Sequence, residues 1–445
     1  MTLMAGCRAA VAVATLLAAR AAAAQASAPV AGDGFEVEHY EVALRPDLAT
    51  TALSGTETIV LKSTRNGLDR LVFSPNALRL RDATLDGQPV AVASTFDGIA
   101  FSPAHALGKG DRATLRFQMS GVPAQGIVRT GNGLYTSYFA CDWMVCLQDR
   151  PGNKAHFSLD LYLPAGIASL GIGRALPLLP FSDGLVLHRW RSTRAYSAYL
   201  FGFAAGIFAQ EAVGTSVGEL VYLDGTGRER NLAETFSQTR SIAQFLADKA
   251  GMGLPDRRYT QLLVPKREAQ EAATFSLIGE EELDRERQQP SNAWIIAHEM
   301  AHQWWGNLVT CASWQDFWLN EGIATFMVAA WKERAFGPSA YQEELEGAQR
   351  RLERARASGF DKPLAWSGAY PSLGIRRAIQ YSKGALFVDH LRNVLGEEAF
   401  WNGIRRFTRE HAGKTATSQD FQVAMEKASG SDLSSLFREW VYGDS

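Results

Sequence analysis

Two histidines four residues apart, with a glutamate directly after the first, are the residues of this chain best suited to chemistry: His298-Glu299-Met300-Ala301-His302. On a helix, positions i and i+4 share a face, so both imidazoles can point at one metal ion. Imidazole nitrogen suits zinc, and catalytic zinc takes three protein ligands and leaves a fourth position for water. Glu299 lies on the adjacent surface of the same turn, where a carboxylate can accept a proton from that water. A third ligand follows nineteen residues beyond His302: Glu321, in Trp318-Leu319-Asn320-Glu321-Gly322. Its apolar flanks Trp318, Leu319 and Ile323 favour a buried charge paired with a cation over a solvated helix acid. His298, His302 and Glu321 are therefore the candidate ligands of one Zn2+ per chain, with Glu299 as the candidate base.

Helices must position these groups. Trp294-Ile295-Ile296-Ala297 runs into the first, with Pro290-Ser291 read as its capped start, and Trp314 to Gly322 forms the second. Further helical stretches are expected at Leu232 to Ala250 and Ala385 to Val394, with a strand at Thr260 to Val264. Up to about residue 207 the period is two instead. Arg112 to Met119 alternates polar and apolar without a break, as do Phe157 to Leu163, and His39 to Leu44 is strand-like. The expected fold is α+β and multidomain: an antiparallel β-sandwich domain over residues 27–207, then a mostly helical catalytic domain over 208–445.

Composition fits that layout. The 445 residues are 46% hydrophobic and 21% charged, which excludes wholesale disorder. A net charge of -2 offers no basic stripe for nucleic acid. At the N-terminus Arg8, an apolar run from Ala9 to Ala19 and the small residues Ala21 to Ala28 describe a secretory signal peptide, residues 1–26, cleaved after Ala24 or Ala26. No later stretch has the length and apolarity of a membrane span, so the expected location is exported, periplasmic or secreted. Three cysteines follow the leader. Cys141 and Cys146 are either a local disulfide, which an oxidising compartment permits, or two reduced thiols. Cys311 reads as a buried small hydrophobe.

The run His298-Glu299-Met300-Ala301-His302-Gln303-Trp304-Trp305-Gly306-Asn307, then Asn320-Glu321-Gly322, resembles the gluzincin family of membrane alanyl aminopeptidases. That family includes aminopeptidase N and the leukotriene-forming hydrolase. The resemblance covers most of the chain after the leader, including Tyr381-Ser382-Lys383-Gly384 and the closing Asp432 to Tyr442. It implies a thermolysin-like catalytic domain, a peptide substrate, and a catalytic role for Tyr381, whose phenol would donate to the oxyanion as charge develops.

Two motifs of the family are changed here. Aligning Val264-Pro265 with the family's Val-Pro puts Gln270-Glu271-Ala272-Ala273-Thr274 where the family has Gly-x-Met-Glu-Asn, so Ala273 stands in place of the Glu that holds the substrate's α-amine. Glu271 is either a displaced anchor or an ordinary exposed acid. The family's Gln-x-Glu-Pro segment is replaced by Cys141 to Pro151, which offers Gln148, Asp142 and Asp149. The family's C-terminal helical domain is also missing from this sequence, which implies a more open cleft or a face covered by a second copy in a homodimer.

The sequence thus supports an exported zinc peptidase, with aminopeptidase action as the leading reading. A zinc hydrolase needing no free N-terminus, acting on internal bonds, N-blocked peptides, esters or amides, is the alternative. An inactive binding scaffold is a further one, disfavoured because a scaffold has no need of ligands, base and oxyanion donor together.

Overall fold

The computed structural model describes residues 30–443; the expected leader lies outside the described residues. The first half of the chain forms strands for the reason its alternation implies. In β1 (Phe35–Pro46), β2 (Leu53–Ser63), β3 (Arg112–Gly121), β4 (Lys154–Pro164) and β5 (Leu185–Arg191) the apolar members turn inward. Ala113, Leu115, Phe117 and Met119 of β3 are buried while the residues between them are exposed. These strands lie in the order β5-β4-β1-β2-β3 within a ten-stranded sheet. The expectation of an antiparallel sheet needs one amendment, since β1 and β4 pair in parallel.

A five-stranded mixed sheet follows, made of β6 (Ala209–Thr215), β7 (Gly218–Asp224), β8 (Arg258–Val264), β9 (Ala269–Ala272) and β10 (Phe275–Gly279), in the order β6-β7-β8-β10-β9. Both of its faces are covered, as parallel pairing demands. Val221, Leu223, Leu262, Val264 and Leu277 face the core of the β half. Leu220, Tyr222, Leu263 and Ile278 face the helical core. Strand β9 is left at the sheet's edge.

The helical half packs α1 (Thr239–Ala250), α2 (Ile295–Ala301), α3 (Trp318–Phe336), α4 (Pro338–Ala357) and α5 (Gly384–Leu395) around that second core. The expected helix from Leu232 to Ala250 is broken. A single turn, Leu232–Thr235, ends where Phe236 stacks on Tyr222 with ring centroids 4.8 Å apart, and α1 begins after it. The expected cap at Pro290-Ser291 also moves. Those residues form a separate 3-10 turn, and α2 begins at Ile295 with no side-chain cap of its own. Glu286 supplies one from the preceding helix, its Oε1 accepting the N–H groups of Trp294 (2.8 Å) and Ile295 (2.7 Å). Cys141 and Cys146 are joined in a disulfide, and Cys311 is free and buried.

Candidate active site

Every residue of α2 is buried, so the two histidines are held in a packed helix rather than on a surface. His302 caps its C-terminus in helical conformation, one turn after His298, and their Nε2 atoms lie 3.1 Å apart. The first turn of α3 brings Glu321, whose Oε2 is 3.3 Å from His298 Nε2 and 3.5 Å from His302 Nε2. Ligands about 2.0–2.1 Å from a tetrahedral zinc lie about 3.3–3.4 Å from one another, so the three separations fit such an ion. The donor chemistry fits as well. Glu321 Oε2 is buried with no hydrogen bond of its own, and two imidazole lone pairs facing each other repel unless a cation lies between them. His302 Nδ1 is 3.1 Å from the Trp305 carbonyl, a contact that puts the proton on Nδ1 and leaves Nε2 for metal. Burial holds the His298 imidazole down to about 4, so it too offers a free lone pair near pH 7.

Glycines fix the distances around this cluster. Gly306 has φ +133°, and a Cβ there would lie 3.0 Å from His302 Nδ1. Gly322, next to Glu321, meets Gly384 at the start of α5, where a Cβ on Gly322 would be 2.8 Å from the Gly384 Cα. Two glycines in contact thus let the helix of Glu321 approach the helix that carries Tyr381. Tyr381 itself lies in a widened π turn, Ala378–Lys383, anchored by Lys383, whose Nζ reaches Asp361 and the Lys362 carbonyl at 2.8 Å each. The Tyr381 ring lies 5.9 Å from His298, near parallel to it. Burial first, then Glu321 and Glu271, push its phenol well above its ordinary range, so it stays a proton donor.

Glu299 is buried, and its Oε2 has no hydrogen-bond partner. Burial raises its carboxyl, opposed by His302 and reinforced by Glu271, Glu321 and Glu268. The structure brings Glu271 into this group: ligand atoms of Glu271, Glu299 and His302 lie within 4.8 Å of one another. Ala273 is not in it. Strand β9 ends at Ala272, and Ala273-Thr274 form the turn to β10, with Thr274 at φ 69°. Ala273 is fully buried, its N–H donating to the Leu200 carbonyl. Gln303 and Asn307, just past the histidines, clamp that turn by donating to the Ala272 carbonyl at 3.2 and 3.0 Å. The site-facing acid of this hairpin is therefore Glu271, two residues before the aligned position.

Gln148 also lies outside the site. Its Oε1 accepts the Cys141 N–H and its Nε2 donates to the Tyr138 carbonyl, bracing the disulfide loop. Asp142 is likewise occupied, accepting the N–H groups of Gln125 and Gly126. What that loop presents to the site is Tyr138, which sequence reasoning did not single out. At φ 50° it lays its phenol along β9 and donates to the Ala269 carbonyl at 2.5 Å, while its N–H donates to Gln270 Oε1. Its phenol is raised by burial and by Glu268, Glu299 and Glu271. Glu268, the residue before β9, accepts from Ser137 (3.3 Å) and Tyr135 (3.4 Å).

Residues 267–440 match the peptidase family M1 domain. Aminopeptidase M1-C of Oryza sativa subsp. japonica is 23% identical over 90% of this chain and 49% of its own length. Aminopeptidase N of Lactococcus lactis subsp. lactis is 28% identical over 68% of this chain and 38% of its own. The chain thus spans about half or less of the length of these curated relatives. The crystal structure of the M1 zinc metallopeptidase from Deinococcus radiodurans superposes with a TM-score of 0.76 at 22% identity, covering 93% of this chain and 95% of that one. A structure of that protein with bound Tyr-Ser-Ala substrate gives the same TM-score. Residues 267–440 thus carry the match to the peptidase family M1 domain, and the chain shares the fold of an M1 zinc metallopeptidase.

Proposed function

We propose that this chain is a zinc-dependent aminopeptidase that removes the N-terminal residue of peptides, exported from the cell that makes it. The reading rests on one observation: Glu271 stands beside Glu299 and His302 at the edge strand, with no Lys or Arg paired to it among the described residues. A carboxylate so placed calls for a cation from outside the fold, and a peptide's α-ammonium is one. Strand β9 is the edge strand of its sheet, and an extended peptide adds to such an edge through backbone hydrogen bonds.

His298, His302 and Glu321 would hold the zinc ion, which when bound would supply Lewis-acid polarisation and a lowered pKa for water. Glu271 holds the α-ammonium and so sets which peptide bond reaches that centre. Glu299 takes the proton of the attacking water and returns it to the leaving amine, a role that suits a carboxyl raised by burial. Tyr381 donates its O–H to the carbonyl oxygen as negative charge grows there. The leader pattern and the Cys141–Cys146 disulfide support export.

One pair of substrates tests the reading: a peptide with a free N-terminus and the same peptide acetylated. Only the free form should be cut, and Glu271→Ala should lower its kcat/KM by about 100-fold, chiefly through KM. Equal rates on both forms would replace aminopeptidase action with a hydrolase that needs no amine. Mass in solution separates an open monomer from a homodimer.

A further inference from the structure

Glu271 sits on a strand with one neighbour. Strand β9 is four residues long and pairs with β10 alone. The Gly279 N–H donates to the Glu268 carbonyl at 2.7 Å, on the β10 side. Carbonyls alternate in direction along a strand, so the next one, of Ala269, turns to the outer edge, where no strand lies. Tyr138 fills that place, its O–H donating to the Ala269 carbonyl at 2.5 Å. Its N–H takes the following residue, donating to Gln270 Oε1 at 3.0 Å. At the far end of the strand Gln303 and Asn307 grip the Ala272 carbonyl. Glu271 therefore lies between two clamps, Tyr138 on one side and the residues that follow His302 on the other.

Tyr138 needs support to stay there. At φ 50° it adopts a left-handed conformation that a residue with a Cβ leaves unless its surroundings hold it. The support comes from the disulfide loop. Gln148 Nε2 donates to the Tyr138 carbonyl at 3.2 Å, and Gln148 Oε1 accepts the Cys141 N–H at 3.2 Å. The loop closed by the Cys141–Cys146 disulfide is itself fastened to the β half. Asn76 Nδ2 donates to the Cys141 and Met144 carbonyls, and the Val145 N–H donates to the buried Glu57. A chain of contacts thus runs from the disulfide through Gln148 and Tyr138 to the strand of Glu271.

We propose that Tyr138 is a positioning residue for substrate binding. Its phenol caps the outer edge of β9 and holds Glu271 where the α-ammonium is received, and the disulfide sets the place of that phenol. This rests on the aminopeptidase reading, in which Glu271 fixes the amine. The hydrogen bonds of Tyr138 run to β9 and Gln148, so the step it governs is capture of the N-terminus and not bond cleavage. One such bond at a strand edge is worth about two- to tenfold in affinity.

The test uses the zinc-loaded protein and Leu-Gly-Gly. Tyr138→Phe, which keeps the ring and loses the O–H, should raise KM about two- to tenfold and leave kcat in place. In a Glu271→Ala background the same substitution should change nothing further, because the group it positions is gone. Amide hydrogen exchange across the β9–β10 hairpin should quicken in Tyr138→Phe while the melting temperature holds. Cys141→Ala with Cys146→Ala should raise KM in the same way and add nothing to Tyr138→Phe. Gln148→Leu, which unfastens Tyr138 and keeps the disulfide, tests that link should the cysteine pair not fold. Unchanged KM in Tyr138→Phe, a fall in kcat alone, or full additivity with Glu271→Ala overturns the proposal. Cleavage of acetyl-Leu-Gly-Gly at the rate of Leu-Gly-Gly instead defeats the aminopeptidase reading. The exchange measurement then still decides whether the phenol holds the strand, and unchanged exchange overturns that.

Discussion

Replacing Gly322 by alanine should damage the metal site from behind. The added Cβ would lie 2.8 Å from Gly384 Cα, 3.0 Å from Gly384 C and 3.2 Å from the Gln380 carbonyl oxygen, where ordinary contact begins at 3.4 Å. All three neighbours are backbone, so no side chain can swing aside, and α3 must shift by about 0.6 Å to relieve the closest contact. Overpacking of that kind costs about 1–3 kcal/mol, offset by up to about 1 kcal/mol of better helix propensity. The net loss of stability is thus modest, about 0–3 kcal/mol. The effect on chemistry is larger, because Glu321 is the adjacent residue and metal ligands tolerate displacements of only about 0.2 Å. Zinc affinity should fall about 10–100-fold and kcat/KM by a similar factor, with the melting temperature lowered by a few degrees at most. The assay is chelator competition monitored by bound zinc, alongside kcat/KM and thermal melting. A Gly322→Ala protein with unchanged zinc affinity and full activity would refute the argument that the glycine contact sets the position of Glu321.

Glu299→Gln should keep its zinc and lose about 10²–10⁴-fold in kcat, read from metal content and turnover on one sample. Tyr381→Phe should lower kcat by about 10²–10³-fold with little change in KM, since its O–H acts where charge develops. Burial raises the Glu286 carboxyl to about 7, against the lowering effect of the Ile295 and Trp294 N–H groups. A carboxyl raised on folding contributes its stability below its ordinary pKa and loses it as pH climbs through the raised value. The melting temperature should therefore fall between about pH 5 and 8, and Glu286→Gln, which keeps an acceptor for both N–H groups, should flatten that fall. Stripping zinc should abolish activity and lower the melting temperature, and restoring it at about 1,000 times its Kd should return about 4 kcal/mol.

The parts of the site legible in the sequence are those whose geometry is local. His298, Glu299 and His302 are one helical turn, and Glu321 announces itself by being charged among tryptophan and leucine. Tyr138, Glu286 and the Gly322–Gly384 contact are joined across the fold by the packing of separate elements, so no spacing along the chain betrays them. Glu271 lies between these cases. Its residue type was visible, yet its place depended on where β9 stops, and a hairpin turn two residues wide decides whether an alignment or the acid itself is right. The β half was readable because period-two burial runs through its long strands β1, β2 and β3. The parallel pairing of β1 with β4 was not, since alternation says which face is buried and not which neighbour lies alongside.

The five-stranded sheet is a party wall: each half of the chain leans on it, and β9 forms its coping. A peptide lying along that edge touches a surface that neither half can move alone. On the aminopeptidase reading, the acidic side of the site is therefore held by both halves at once. Tyr138, tied to β9 at the Ala269 carbonyl and to Gln270 Oε1 from its disulfide-braced loop, belongs to that same held side.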